Sequence, residues 1–511
     1  MPDAALDPSP SPSDPSGGDP SSPAATSPDP HDASAALGYL SSSEVLDALA
    51  AGALTSVHLV EVLTSRVAAL DDAASPTALR AIAALAPDAL ALARERDAER
   101  RAGRLRGPLH GVPVVVKDNI EAIGLPAAAG STALAGRPAR DAELVTRLRA
   151  AGAIVLASTN LSQWANFRSV RSTSGYSATG GLVANPWALD RSAGGSSSGS
   201  GAALAAGLAP LAVGTETDGS IVCPASLNGV VGLKPTVGVV PASRVVPISA
   251  SQDSPGPMGR RVDDVARLFA VLGARAAPVV EEPLTYVVAA NWRTEHPATD
   301  ALFDDLVAAL RGTGAVVRER DLAVPGEQEG NDELTVLQCE IVDDLTAYLA
   351  DRPGEGVSSL AEVVDYEDRE AAREQRYFGH DHFLAALASG GRAGEAYAPA
   401  RRRNLDWAIA TCLEPAFEGA HVVLAPAYGP AWKSDLVVGG HPGPASVATM
   451  APAIAGWPIA SVPLGLVHGL PVGVAVLGRA HDEWTVLAAA RALEALIGPL
   501  TRPSWRAPRR G

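Results

Sequence analysis

Residues Gly194–Thr236 read GGSSSGSGAALAAGLAPLAVGTETDGSIVCPASLNGVVGLKPT and place two serines, Ser196 and Ser220, on separate glycine-flanked turns. Glycine lacks a Cβ, so it tolerates positive φ and leaves room for a bound group close to the backbone. The TETDGS turn also presents consecutive backbone N–H groups just before a hydroxyl, which is the composition of an oxyanion site beside a nucleophile. The stretch therefore predicts a site for nucleophilic catalysis.

A serine hydroxyl of ordinary pKa needs a base, and the nearest upstream candidate is Lys117 at the end of the run PVVVK. The valines predict a buried strand, and burial lowers the pKa of a lysine by disfavouring its charged form. From about 10.4, that pKa must fall by roughly three units, which corresponds to about 4 kcal/mol. Neighbours on a strand point to opposite faces, so we expect Asp118 to turn away from the site.

The same glycine-rich turn admits other interpretations. Gly195, Ser197 and Gly199 satisfy the GxSxG pattern of a nucleophile elbow, which requires a strand before it and a later histidine such as His468 or His481. The preceding residues, ANPWALDRSA, do not resemble a strand, and this argues against the elbow. The turn also lacks the GK[ST] ending of a phosphate-binding loop, which argues against a nucleotide site.

The composition of the chain limits the classes of binding partner and the cellular compartment. The chain of 511 residues has 41 Lys and Arg against 57 Asp and Glu, a net charge of −16, which argues against binding of nucleic acid. Its three cysteines, Cys223, Cys339 and Cys412, form no CxxC pair, so we expect no disulfide framework and a cytoplasmic location. Cys223 has no histidine nearby in the sequence, and we interpret it as a small core residue rather than a nucleophile.

Two segments could be mistaken for targeting or membrane sequences. Residues 1–34 are rich in Pro, Ser and Asp without an apolar core, so we expect a disordered tail and not a signal peptide. Residues 448–478 are nearly uncharged, but prolines at 452, 458, 463 and 471 break them too often for a spanning helix. We therefore expect no membrane partner. We also expect the protein to be a monomer or a homodimer.

Alternating patterns predict the fold class. From about residue 103, short β-branched runs alternate with Ala-rich helical segments. Strands that are apolar on both faces and alternate with helices indicate an α/β fold, with a large mixed, mostly parallel sheet covered by helices on both faces. We expect one domain over residues 35–511. Long polar helices around residues 327–403 indicate a helical insertion, which is either a wall of the substrate pocket or a plain structural element.

Two helix starts are readable near the beginning of this domain. Ser41 and Glu44 have the spacing of a capping box. Ser56 is expected to cap a second helix that runs to about Leu70.

Several motifs together carry a resemblance to a known family. Lys117, the GGSSSGSG turn, TETDGSIVCPA and the closing GLKPT resemble the amidase signature family of serine amidases, and the similarity extends from about residue 40 to 498. Within that family, TETDGSIVCPA and the stretch WANFRS are most similar to bacterial peptide amidases, which hydrolyse the C-terminal amide of peptides. The resemblance implies the amidase signature fold and no cofactor.

The resemblance also implies catalytic roles. Ser220 would attack the amide carbonyl and form an acyl-enzyme, Ser196 would relay a proton, and a neutral Lys117 would act as the base. The peptide bond between Gly195 and Ser196 would be cis.

An oxyanion hole and a substrate contact follow from the same resemblance. Backbone N–H groups of Thr217, Asp218, Gly219 and Ser220 would bind the oxyanion, and Asn166 would hydrogen-bond the substrate backbone. Many relatives have glycine where this chain has Asp218, so its carboxylate must point away from the oxyanion or meet the substrate. This departure favours a peptide amidase over the transamidating branch of the family.

The sequence therefore predicts a serine amidase acting on the C-terminal amide of peptides. The alternatives are a general aliphatic or aryl amidase, an amidotransferase subunit that works on charged tRNA with a partner, and a catalytically idle binding protein. His380 and His382 form an HxH pair, but no third ligand stands at a convincing spacing, so we expect no metal. Tyr428 and Trp432 are candidates for the acyl pocket or for the core.

Overall fold

The fold is taken from a computed structural model. It describes residues 33–72, 74–134, 136, 138, 140–273, 278, 280, 283–352, 356–439, 447–503 and 505. The expected disordered tail therefore lies almost entirely outside the described residues.

The strands of the structure follow one another along the chain as short, mostly buried segments. They are β1 Ile82–Leu85, β2 Pro113–Lys117, β3 Ile154–Thr159, β4 Tyr176–Ser177, β5 Gly181–Leu182, β6 Ala184–Asn185, β7 Ala188–Ser192, β8 Leu211–Glu216, β9 Val231–Lys234, β10 Ser254–Gly259, β11 Thr285–Ala289, β12 Val316–Arg320, β13 Val422–Pro426, β14 Ile459–Val467 and β15 Leu470–Leu477. Within the described residues, eleven of them form one sheet in the order β1-β3-β2-β8-β10-β9-β14-β15-β13-β11-β12.

The expected large mixed sheet is confirmed, but fewer of its strands are parallel than the alternation of strands and helices suggests. Strand pairs β2–β3, β2–β8, β11–β12 and β11–β13 are parallel. The other six neighbouring pairs among the described residues are antiparallel. Two of the antiparallel pairs, β9–β10 and β14–β15, join strands that follow each other directly along the chain without an intervening helix, whereas a parallel pair requires a crossover.

The α-helices account for most of the remaining chain. They are α1 Ala33–Gly38, α2 Ser42–Ala50, α3 Ser56–Leu70, α4 Ala89–Arg101, α5 Glu143–Ala150, α6 Ser198–Ala205, α7 Val222–Asn228, α8 Val262–Leu272, α9 Pro297–Gly312, α10 Glu327–Ala350, α11 Leu360–Arg369, α12 Ala371–Glu374, α13 Asp381–Ser389, α14 Tyr397–Leu405, α15 Glu414–Ala416, α16 Met450–Ala455 and α17 Glu483–Ile497. Short 3-10 helices span Thr132–Leu134 and Gly391–Ala393, a turn with positive φ at three residues spans Gln163–Asn166, and a π-helix spans Asp406–Leu413.

Helices cover both faces of the sheet. Along β13, Val422 and Leu424 pack into the cluster built with α8, α9 and α17. The alternate residues Val423 and Ala425 pack into a second cluster with the π-helix and α16. Successive side chains of a strand point to opposite faces, so the two clusters lie on opposite sides of the sheet.

Of the two expected helix caps, the one at Ser41 is confirmed and the one at Ser56 is wrong. Ser41 and Glu44 form the capping box, with the Ser41 N–H donating to Glu44 Oε2 at 2.7 Å. The cap of α3 is Thr55 and not Ser56, because Thr55 Oγ1 accepts the His58 N–H at 3.1 Å.

The topology brings the catalytic candidates to one edge of the sheet. Strands β2 and β8 run parallel side by side, so their carboxyl ends lie together. Lys117 is the last residue of β2, and the TETDGS turn begins at the end of β8. In open α/β sheets, ligands bind beyond the carboxyl ends of strands. No helix among the described residues is both long and apolar enough to cross a membrane.

Candidate active site

Lys117 lies at the centre of the site and is fully buried. Its Nζ donates to Ser196 Oγ at 2.7 Å, to Thr215 Oγ1 at 2.9 Å and to the Thr215 carbonyl at 3.2 Å. Three acceptors match the three donors of an ammonium, and they fix the amine against the serine hydroxyl.

Burial lowers the pKa of Lys117 to about 7, and the nearby Asp253 and Glu216 oppose this shift. The cause is desolvation, which penalises the charged form. The charges that act on Lys117 are those of Asp253 and Glu216, whereas the adjacent Asp118 is directed to the Ala128 N–H, which its Oδ2 accepts at 3.3 Å. The expectation that Asp118 turns away is therefore confirmed, and Lys117 reaches its neutral form near physiological pH.

Ser196 is fully buried and follows a cis peptide bond from Gly195, as the resemblance implied. The next residue ties this turn to the second one, since the Ser197 N–H donates to the Ser220 carbonyl at 3.1 Å. The two glycine-flanked turns thus lie against each other, and Ser196, which is bonded to Lys117, directly precedes the residue that contacts Ser220.

The turn of Ser220 is held by a buried carboxylate. Glu216 Oε2 accepts the N–H groups of Ile221 at 2.6 Å and Val222 at 2.9 Å, where α7 begins. Burial raises the pKa of Glu216, and the buried ammonium of Lys234 opposes that shift. Glu216 therefore fixes the backbone directly after Ser220.

Backbone N–H groups of this turn are free to bind an anion. Within the described part of the chain, the N–H groups of Thr217, Asp218, Gly219 and Ser220 donate no hydrogen bond. Gly219 has φ of +74°, and a Cβ there would stand 2.6 Å from the Tyr428 hydroxyl. Only glycine fits at this position, and the turn can therefore present successive donors to one point.

The carboxyl of Asp218 lies in an acidic, buried neighbourhood. Its side chain bonds to Thr449, and burial raises its pKa. Burial, and then the charge of Asp218, raise the pKa of Glu333 on α10 to about 8. Burial thus disfavours the ionised form of both carboxyls, which favours less negative charge beside the turn of Ser220.

Ser220 faces a cavity of about 300 Å³, whose lining includes Asn166, Tyr428, Trp432 and Leu337 of α10. Asn166 is half-buried, its Nδ2 donates to Ser174 Oγ at 3.3 Å, and its Oδ1 is buried without a partner among the described residues. An unpaired amide oxygen at the wall of such a cavity is suited to accept an N–H from a ligand. Tyr428 and Trp432 line the same cavity and also pack against the core.

The loop that carries Asn166 is strained. Trp164, Ala165 and Asn166 have φ of 50°, 51° and 75°, in the left-handed region that non-glycine residues rarely adopt. Each such residue costs on the order of 1–3 kcal/mol and persists where the surrounding structure enforces it.

Helices α11 and α12 supply that enforcement. Trp164 Nε1 donates to Glu367 Oε1 at 2.8 Å, and Gln163 Nε2 donates to Glu374 Oε2 at 2.5 Å. Arg168 and Glu367 are both fully buried and form an ion pair at 3.4 Å. The segment expected to be a helical insertion thus contacts the loop on which Asn166 lies.

Other candidates from the sequence have structural partners. Ser197 Oγ donates to the Thr215 carbonyl at 3.0 Å and accepts the Thr215 N–H at 3.2 Å, so it holds β8 and is not free as a nucleophile. The expectation that no strand precedes this turn is wrong, because β7 pairs with β6 outside the main sheet. Burial raises the pKa of Cys223 to about 12, which keeps it a thiol at the pocket wall.

The two histidines of the HxH pair, His380 and His382, contact different residues. His380 Nδ1 lies 3.0 Å from Glu367 Oε2, and the His382 ring stacks on Phe167 at 5.2 Å. The described residues contain no group of three His, Cys, Asp or Glu side chains that could hold a metal ion.

The residues of the site that were missed from the sequence include Thr215, Asn119 and Asp253. Thr215 Oγ1 accepts from Lys117 and from Asn119 Nδ2, the latter at 3.0 Å. Asp253 accepts from Thr217 Oγ1 at 2.5 Å. Thr215 begins the TETDGS motif and Asn119 lies two residues after Lys117, so both could have been found from their nearness to predicted site residues. Asp253 lies in SQDSPG, which carries no such signal.

Comparison with known proteins agrees with this geometry. The sequence profile of the family described as Amidase matches residues 60–487, which is most of the chain. The chain belongs to the amidase family. It is an amidase with the amidase signature fold, in which a large mixed sheet is covered by helices.

Peptide amidases are among its similar solved structures. The native peptide amidase from Stenotrophomonas maltophilia is 39% identical, with a TM-score of 0.84 over 91% of this chain and 98% of that one. The peptide amidase PAM in complex with the competitive inhibitor chymostatin is 39% identical, with a TM-score of 0.85 over the same shares.

Other members of the amidase family are also similar in sequence. A glutamyl-tRNA(Gln) amidotransferase subunit of Symbiobacterium thermophilum is 34% identical over 86% of this chain and 92% of that protein. An amidase of Arthroderma benhamiae is 45% identical over 226 residues, which are 44% of this chain and 37% of that longer protein.

Proposed function

We propose that this amidase hydrolyses the C-terminal amide of peptides through an acyl-enzyme formed on Ser220, with Ser196 and Lys117 as its proton relay. The observation that carries the proposal is the 2.7 Å hydrogen bond between Lys117 Nζ and Ser196 Oγ in a fully buried site. A lysine whose pKa is about 7 is a competent base near neutral pH.

In the first step, the Ser220 oxygen attacks the amide carbonyl and its proton passes through Ser196 to Lys117. The carbonyl oxygen becomes an oxyanion, which the N–H groups of Thr217, Asp218 and Gly219 stabilise. Such donors act in a site that is already organised and dry, and losing one typically costs about 10²–10³ in rate.

In the second step, the tetrahedral intermediate collapses and the C–N bond breaks. The leaving nitrogen takes the proton back from Lys117 through Ser196, and ammonia departs. Water then attacks the ester on Ser220 with the same relay as base, which releases the carboxylic acid. These steps use side chains and backbone of this chain alone.

The peptide part of the substrate is assigned to the cavity that Ser220 faces. Asn166 Oδ1 accepts an N–H of the peptide backbone there, and Tyr428 and Trp432 contact the terminal side chain. The likeness to peptide amidase PAM, which is known in complex with the inhibitor chymostatin, supports this assignment.

Mass spectrometry tests the proposal. Purified protein is incubated with a short C-terminally amidated peptide, with benzamide and with glutamine. The proposal predicts conversion of the peptide amide to the free acid with internal bonds intact, loss of this activity in Ser220→Ala, and retention in Ser65→Ala, which changes an exposed serine. Turnover of only the small amides would reassign the substrate class to general aliphatic or aryl amides.

A second candidate function is supported by the likeness to the glutamyl-tRNA(Gln) amidotransferase subunit. In that role the chain would release ammonia for a partner protein. Activity of the purified chain alone on peptide amides would contradict this candidate.

The proposal includes a single catalytic domain over residues 35–511, in which residues 327–403 form a helical insertion at the pocket. It also includes a cytoplasmic monomer or homodimer. The buried, unpaired state of Cys223, Cys339 and Cys412 supports a reducing compartment.

A further inference from the structure

A second cavity, of about 450 Å³, lies beside the one that Ser220 faces. Ala165, Thr217 and Ile248 line both cavities, so the two meet at these residues. The second cavity extends from this junction between the segment 237–255 and helix α10.

The second cavity lies on the side of the base. Thr215 and Asn119 line it, and Thr215 Oγ1 accepts hydrogen bonds from both Lys117 Nζ and Asn119 Nδ2. The Ser220 cavity is instead lined by Asn166, Tyr428 and Trp432. The site therefore has a peptide side and a base side.

An amide nitrogen must face the group that gives it a proton as it leaves. In the proposed reaction this group is the relay of Ser196 and Lys117, so the nitrogen departs toward the base side. We propose that the second cavity binds the N-substituent of a secondary amide, so that the enzyme also releases apolar organic amines. This inference rests on the proposed function.

The size of the cavity supports an organic leaving group. Ammonia is about as large as water, whose share of liquid volume is about 30 Å³. The second cavity is many times larger and falls within the range of about 300–1,000 Å³ typical of small-molecule sites. Its walls are largely apolar, with Val237, Val245, Val246, Pro247, Ile248 and Pro255.

The charges at the cavity select against an acidic leaving group. Asp351 pairs with Arg244 at 2.9 Å, and Asp344 pairs with Arg392 at 2.8 Å. Asp253 accepts from the Thr217 hydroxyl and from backbone N–H groups, which leaves its charge uncompensated by an ion pair among the described residues. A leaving amino acid would bring its own carboxylate toward Asp253, so peptide bonds are poor substrates while neutral amines are accepted.

The step balances without a further reactant. The Ser220 oxygen forms a bond to the carbonyl carbon, and its proton moves to Lys117 through Ser196. The C–N bond to the substituted nitrogen breaks, and that nitrogen takes the proton and leaves as a primary amine. Water then hydrolyses the ester as in the proposed function.

Three substrates with the same peptide part test the inference: the primary amide, the N-benzylamide and the N-(4-carboxybenzyl)amide. The inference predicts a kcat/KM for the benzylamide within tenfold of that for the primary amide. For the carboxybenzylamide it predicts a value at least tenfold below the benzylamide. Cleavage of the primary amide without cleavage of the benzylamide would overturn the inference and leave the proposed function intact.

A matched pair of variants locates the benzyl group. Ala347 on α10 is exposed and lines the second cavity, whereas Ala350 on the same helix is exposed and does not line it. Ala347→Trp fills the cavity, so the ratio of kcat/KM for benzylamide to that for primary amide should fall at least tenfold. Ala350→Trp should keep the wild-type ratio, and an unchanged ratio in Ala347→Trp would contradict the inference.

Binding to an inactive enzyme separates the two proposals. In Ser220→Ala, calorimetry should show tighter binding of the benzylamide than of the primary amide, and Ala347→Trp in that background should abolish the difference. If no amide is cleaved by the wild type but this difference holds, the proposed function fails and the cavity assignment stands. Equal binding of the two amides would contradict the cavity assignment.

Discussion

Lys117 Nζ lies 2.7 Å from Ser196 Oγ, and neither residue is exposed to solvent. The same amine is held by Thr215 at the end of β8, the strand that leads directly into the Ser220 turn. The hydrogen bond to Ser196 thus joins the carboxyl end of β2 to the first glycine-rich turn. The bond to Thr215 joins Lys117 to β8, which continues into the second turn, that of Ser220. Because the pair is buried away from solvent, the amine is driven toward its neutral form.

Replacing Lys117 with Met should abolish turnover and stabilise the fold. Removing the proposed base should lower kcat by at least 10³. The double variant Lys117→Met/Ser220→Ala should be no slower than Ser220→Ala alone, because the effects of residues that act as a unit are not additive. The buried lysine has a pKa of about 7 against an ordinary 10.5, so folding at pH 7 works against its protonation. We expect Lys117→Met to raise the free energy of unfolding by about 2 kcal/mol at pH 7, after the lost hydrogen bonds are counted.

The pH dependence of that difference gives a second check on the same variant. Between pH 7 and 10.5 the unfolded lysine keeps the proton that the folded lysine has lost, so the wild type gains stability as the pH rises and the difference should shrink. Denaturant unfolding of both proteins at pH 7 and pH 10 measures this. A variant less stable than the wild type at pH 7 would contradict the account.

The pH profile of the reaction should report Lys117. Since the proposed base is the neutral amine, kcat/KM should rise as the pH passes about 7. The carboxylate of Asp253 favours the ammonium, so Asp253→Asn should lower the pKa of Lys117 and move the rising limb to lower pH. A limb that stays in place or moves to higher pH would show that another group controls it.

Much of this fold is readable from the sequence, because its strands are β-branched and buried. The run PVVVK predicts β2. β10 has the sequence SPGPMG, and a strand inside a sheet with two prolines contradicts the usual preference. It is tolerated because β10 pairs along its whole length with β8 but with β9 only at Met258 and Gly259.

The substrate contact of Asn166 is a separate prediction. Truncation in Asn166→Ala removes one hydrogen bond of about 1–1.5 kcal/mol, so KM for a peptide amide should rise about tenfold with little change in kcat. Asn331→Ala changes an exposed asparagine on α10 and should leave both constants unchanged. A fall in kcat without a rise in KM would indicate that Asn166 acts on the reaction step and not on binding.

The strained loop should depend on Glu367. This carboxylate accepts from Trp164 Nε1 and pairs with the buried Arg168, so Glu367→Gln leaves a buried guanidinium without its counter-charge. We expect a loss of about 3 kcal/mol in the free energy of unfolding, together with a higher KM because the loop of Asn166 loosens. Glu370→Gln, an exposed neighbour on the chain, is the matched control. Unchanged stability and KM in Glu367→Gln would show that the loop is held by its other contacts.

Fewer contacts of the site than elements of the fold could be predicted from the sequence, because many of the contacting residues lie far apart along the chain. Lys117, Ser196 and Ser220 sit in motifs, and so does Asn166. Asp253 reaches Thr217 from a loop that carries no pattern, and Glu367 reaches Trp164 across about two hundred residues. Such long-range partners leave no local trace, since only the folded chain brings them together.

The central claim is covalent catalysis on Ser220, and rapid quenching tests it most directly. The enzyme is mixed with a C-terminally amidated peptide, denatured in acid within milliseconds to seconds, digested and examined by mass spectrometry. The account predicts a peptide ester on the fragment that contains Ser220, and its absence in Lys117→Met at the same time points. Release of the free acid with no adduct on Ser220, or with the adduct on another residue, would contradict the account.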